Sequence, residues 1–252
     1  MTAPLITVLL LVMVATSFLS GIFGMAGGMI LIGVLLALLP LPAAMVLHAV
    51  TQMASNGWRA ILWWRFIRWR PAAAYVVGCA VVLALWSLVA FVPEKPLALL
   101  LLGVTPFLVR ATPKSFQPDP TNPFQCAGYG VVCMTLLLMT GVSGPLLDTF
   151  FLGGGKMERR EIVATKAACQ VFGHAAKLLY FGGIIAQAGE LDPIVAAMAI
   201  VASAVGTTLS TRVLRAMSDG QYRLWANRII TAIALYYIGH GSWLLIAPKL
   251  TA

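Results

Sequence analysis

The fold class predicted for this chain is an all-α membrane protein built as two inverted repeats, each a re-entrant broken-helix hairpin plus three transmembrane helices. Three observations predict it. Apolar stretches of membrane-crossing size cover nearly all of the 252 residues, basic residues gather at alternate connections, and one pattern of glycine break followed by polar-striped helix occurs twice. With 60% hydrophobic and only 10% charged residues, and a mean hydropathy of +0.92, the chain lies far from the roughly 25% charged content of soluble domains. We read 1–252 as a single transmembrane domain, with repeat one over 3–110 and repeat two over 124–247.

Taken in order, the first apolar run, 4–19, has no Lys or Arg ahead of it. A cationic leader is part of a signal peptide, so the run is expected to stay as a membrane segment. The stretch 3–39 is broken by Gly21-Ile22-Phe23-Gly24-Met25-Ala26-Gly27-Gly28. Its return arm, 28–39, reaches only about 18 Å at 1.5 Å per residue, against a hydrocarbon core of about 30 Å. Segments 42–60, 71–92 and 97–109 are full crossings. The stretch 124–153 is broken in turn by Gly141-Val142-Ser143-Gly144-Pro145, where the helix loses stiffness and an amide donor. Its return arm, 145–152, reaches about 12 Å. Segments 160–181, 194–211 and 224–247 follow as crossings.

The formal charge of +9 is unevenly spread. Arg59, Arg65, Arg68 and Arg70 share one connection, and Arg110 and Lys114 share another. Lys156, Arg159 and Arg160 mark a third; Arg212, Arg215 and Arg223 mark a fourth. Short cytoplasmic loops carry the Lys/Arg excess, so these four connections are placed inside and both termini outside. The charge is thus an orientation signal, and a nucleic-acid partner is excluded. Cys79, Cys126, Cys133 and Cys169 all lie in apolar segments and form no CxxC pair. They read as reduced core residues, with no metal set and no cofactor expected.

The repeat is visible residue by residue. Ser20-Gly21-x-x-Gly24 recurs as Thr140-Gly141-x-x-Gly144, 120 residues on. His48, Thr51, Gln52, Ser55, Asn56 and Arg59 match Lys166, Cys169, Gln170, Gly173, His174 and Lys177, each 118 residues on. Both sets follow i, i+3, i+4, i+7, i+8, i+11, one face of a helix. The charge threading gives the two halves opposite orientation, the arrangement in which secondary transporters build a central site.

The chemistry of that site points to an anion. Ionisable residues inside a membrane mark sites by default, although long Lys stems also snorkel to the surface. Helices that begin at mid-membrane offer free amides and a partial positive charge, and glycine lets backbone approach a ligand. The expected substrate contacts are Gly21, Gly24, Gly27 and Gly28 at the first break and Gly141, Ser143 and Gly144 at the second. His48, Gln52 and Asn56 join them from one stripe, and Lys166, Gln170, His174 and Lys177 from the other. Interhelical hydrogen bonding is the competing role for the amides, and tight packing for the glycines. Asp148, His48 and His174 are candidates to exchange a coupling ion, a proton or sodium.

These motifs resemble the sulfite exporter TauE/SafE family, also called the toluene sulfonate uptake permeases. The resemblance rests on Ser20–Gly28, the turn Leu39-Pro40-Leu41-Pro42, the helix Ala43–Arg59 and the second copy Thr140–Gly183. It implies transport of sulfite or an organosulfonate across a bacterial inner membrane. A secondary transporter working by alternating access is therefore expected, with an anion channel as the alternative. No GxxxxGK[ST], HExxH, GxSxG or CxxC is present, which argues against ATP as a direct energy source and against an enzyme.

Overall fold

Helices start and stop where side chains dictate. The computed structural model describes residues 3–23, 25–113, 115, 118–153, 157–185 and 193–250. They form ten α-helices: α1 (Ala3–Phe23), α2 (Met25–Leu38), α3 (Leu41–Leu62), α4 (Trp69–Val89), α5 (Lys95–Ala111), α6 (Pro123–Thr140), α7 (Gly144–Gly153), α8 (Arg159–Leu179), α9 (Pro193–Ala216) and α10 (Asp219–Leu250). Pro40 precedes α3, which carries Pro42 in its first turn. Asn122 caps α6 through its side chain, and Gly141 ends that helix with φ of 84°, a left-handed conformation natural to glycine. Glu158 and Glu161 form a capping box at the start of α8. That helix ends in a widened π-turn, Tyr180–Ile184, closed by the Ile185 amide on the Tyr180 carbonyl at 2.9 Å.

Among the described residues, five helices are long and apolar enough to cross a membrane: Pro4–Phe23, Trp69–Val89, Pro123–Thr140, Pro193–Val213 and Leu224–Ala247. The 22-residue α3 and 21-residue α8 have the length, about 32 Å, but carry the polar stripes. By contrast α2 has 14 residues and α7 has 10, about 21 and 15 Å. Each hairpin therefore pairs a long first arm with a short return arm. Folding back is direct in the first: a β-carbon on Gly27 of α2 would collide with the Thr16 carbonyl and the Ser20 side chain of α1. The short arms are wrapped by protein. Met29, Leu31, Ile32, Leu35 and Leu36 of α2 and Leu147, Phe150 and Phe151 of α7 are fully buried.

The main helix contacts are α1 with α9, α4 with α6, α3 with α8 and α5 with α10. Small residues bring several of them close: Gly206 against Val14 and Phe18, Gly78 against Ala127, Gly130 against Tyr75. α3 and α8 run antiparallel, since Gly57 faces Val171 while Val46 faces Gly182. α5 and α10 do likewise, with Gly103 beside Ala234 and Ile238 and Gly241 beside Pro96 and Leu100. At one end Arg68 pairs with Glu161 at 2.6 Å, tying the α3–α4 connection to the start of α8. All four cysteines are buried and free.

Candidate functional site between the two breaks

The polar stripes of α3 and α8 face each other because these helices pack along their length, and the two breaks close the space between them. The result is a cavity of about 20 Å³. From α3 it is lined by His48, Gln52 and Asn56, and from α8 by Lys166, Gln170 and His174. Gly28 lines it from α2, and Ser143, Gly144 and Asp148 from the second break and α7. Most of the residues expected from sequence thus meet around one space.

Both short helices begin at this cavity. Met25, the first residue of α2, and Gly144, the first of α7, are wall residues. The side chains add two cations and one carboxylate. Lys166 is ion-paired with Asp148, joining α8 to α7 across the wall. Arg59, one turn beyond Asn56, donates to the Ser20 carbonyl at 3.3 Å and to Asn56 Oδ1 at 3.4 Å. Two buried wall atoms, Ser20 Oγ and His174 Nδ1, have no hydrogen-bond partner among the described residues. Buried polar atoms are normally satisfied, so these two stand out; Ser20 Oγ lies against Gly27.

Other expected contacts are placed differently. A β-carbon on Gly21 would strike the Ser210 side chain of α9, and one on Gly27 would strike α1. These two glycines serve helix packing and do not border the cavity. Gly141 also stands back, facing Ile32 and Met45, while its carbonyl accepts from Lys177 at 3.1 Å. Gly24 lies outside the described residues. Lys177 is fully buried and does not reach the cavity; its Nζ lies 2.7 Å from His48 Nδ1. The His48 Nε2 is 3.0 Å from the Gly28 carbonyl, and the His48 and His174 rings are 5.5 Å apart. Thr51 turns back to the Leu47 carbonyl, and Ser55 bonds Thr207 of α9.

Sequence reasoning missed Ser20, Met25, Arg59 and Val142 as wall residues. Arg59 carried a signal, its place on the α3 stripe, but was counted among the charges of a connection. Ser20 carried one as well, as the residue matched by Thr140. There the repeat diverges: Thr140 Oγ1 is occupied by the Val142 amide and carbonyl, whereas Ser20 Oγ is unpartnered among the described residues.

A family model described as sulfite exporter TauE/SafE matches residues 9–237 of this chain. No curated protein and no solved structure matches it.

Proposed function

We propose, from the premise that this chain belongs to the sulfite exporter TauE/SafE family, that it is a secondary transporter carrying a small sulfur oxyanion across a bacterial inner membrane. Membership makes it a multi-pass membrane protein of a sulfur-anion transport family. The observation that carries the finer reading is the cavity itself. Met25 and Gly144, the first residues of the two short helices, line one cavity together with Arg59, Lys166, His174 and Ser20. Amides at a helix start favour anions, and so does the surplus of positive side chains.

Alternating access is supported by the internal match of the two halves. Exchanging α1–α5 with α6–α10 turns the α1–α9 contact into α6–α4 and the α3–α9 contact into α8–α4, all of which occur. The matched helices α3 and α8 run antiparallel, as do α5 and α10, the relation expected of inverted repeats around a central site. The polar stripes also end alike. Arg59 bonds a carbonyl at the end of α1, and Lys177 bonds one at the end of α6.

The test is flux of sulfite and of methanesulfonate in proteoliposomes. A transporter gives saturable flux that accelerates when unlabelled anion is supplied on the far side. Flux linear in concentration and blind to the far side favours the channel and overturns alternating access.

A further inference from the structure

Lys177 is the feature the anion site leaves unexplained. It is fully buried, lies behind the cavity wall, and has no carboxylate within ion-pair distance among the described residues. Its Nζ has two partners, the Gly141 carbonyl at 3.1 Å and His48 Nδ1 at 2.7 Å.

Hydrogen-bond chemistry limits what this pair can hold. A carbonyl only accepts, so His48 Nε2, 3.0 Å from the Gly28 carbonyl, carries a hydrogen. Nδ1 is then the ring's acceptor, and Lys177 donates to it. The amine can do so as –NH₂ or as –NH₃⁺, so the pair is neutral or carries one positive charge. A second charge would put hydrogens on both nitrogens of a 2.7 Å contact. One proton therefore separates the two states open to the pair.

We propose that Lys177 and His48 form a proton site that loads one proton with each anion, so that proton and anion cross the membrane together. This rests on the transport reading above. A lone charge at membrane depth costs at least a few kcal/mol. With no carboxylate beside Lys177 among the described residues, the compensating charge is the anion in the cavity that His48 walls. Each makes the other cheaper to bind, and such coupling is reciprocal. The proton enters from the cavity, adds to the Lys177–His48 pair as one N–H bond, and leaves the same way after the anion departs; no electrons are transferred.

Among the described residues, other charged or titratable groups facing the pair are few. From α8, His174 lies with its ring 5.5 Å from His48. Lys166 of α8 and Asp148 of α7 neutralise each other. Arg59 of α3 sits eleven residues along from His48, against Ser20. From α4, Tyr75 reaches α8 at Gly173, and Tyr180 gives its hydroxyl to the Phe91 carbonyl at 2.7 Å. α2 contributes only the Gly28 carbonyl.

The experiment compares sulfite affinity of the full-length protein and of Lys177→Met at about pH 6 and about pH 8, in detergent. The anion's own titration is common to both proteins, so a difference in slope belongs to the side chain. One linked proton gives up to about tenfold per pH unit. Between the two pH values the full-length parent is expected to lose about tenfold or more affinity in excess of any loss shown by Lys177→Met. Equal slopes in two proteins that both bind overturn the proposal. Should Lys177→Met not fold, proton uptake by the parent on adding methanesulfonate, followed with a pH dye in weak buffer, decides. Uptake approaching one proton per bound anion supports the site, and binding without uptake overturns it. Failure of the parent to bind any of these anions removes the transport reading and, with it, this one.

Discussion

At the scale of single residues, two adjacent glycines separate packing from binding. A β-carbon on Gly27 meets the Thr16 carbonyl and Ser20 backbone at clashing distance, whereas the atoms nearest to one on Gly28 are those of the Gln52 carboxamide, at 3.4 Å. Gly27→Ala forces two backbones apart and is expected to cost more than about 1 kcal/mol of stability, the range of overpacking, read as a fall in melting temperature. Gly28→Ala is expected to leave the melting temperature within a degree or two of the parent and to weaken sulfite binding by narrowing the cavity. Arg59 gives a second prediction. Hydrogen bonds to charged groups contribute about 1.5–3 kcal/mol, so Arg59→Gln should raise the dissociation constant by about tenfold or more in isothermal titration. Arg68→Gln, paired with Glu161 at the periphery, should leave it nearly unchanged. The sequence pattern placed both stripes on helix faces but could not say which glycine faces the cavity. One residue along a helix turns a side chain by about 100°, so the outcome depends on α2 starting at Met25. The same limit hid the difference between Lys166 and Lys177. They share a face of α8, but the cavity extends along only part of it.

At the scale of elements, the breaks were legible and the ends of helices were less so. Gly141-Val142-Ser143-Gly144-Pro145 announced the break between α6 and α7, because glycine relaxes the backbone and proline removes an amide; the left-handed form of the cap came from the structure. Nothing in Tyr180–Ile184 distinguished a π-turn from an ordinary loop; the Tyr180 hydroxyl is held by the Phe91 carbonyl, a tertiary bond that local sequence does not show. The ion pair of Asp148 and Lys166 is the charged tie between α7 and α8. Its side chains retain some solvent access, at 21% and 16%, so its strength lies between the surface and buried cases. A double-mutant cycle with Asp148→Asn and Lys166→Gln is expected to give a coupling of about 1 kcal/mol or more in denaturation. Additive effects would mean that this ion pair does not couple the two elements.

At the scale of the whole molecule, the threading makes a prediction that is independent of the site. Single cysteines near Arg68 and Ser218 should react with an impermeant reagent only from the cytoplasmic side, and one near Glu94 only from the outside. A cysteine in the 182–193 connection, most of which lies outside the described residues, should also label from outside. Labelling of Glu94 and of that connection from opposite faces would dissolve the repeat. The antiparallel pairing of α3 with α8 and of α5 with α10 has a further consequence if the halves are inverted copies. Such a scaffold looks much the same to either leaflet, so packing gives the insertion machinery no reason to prefer one sense over the other. The choice then falls to a handful of guanidinium and ammonium groups at the rims. Moving the charges of Arg65, Arg68 and Arg70 to the opposite rim should yield a mixed population, part of it upside down and still folded.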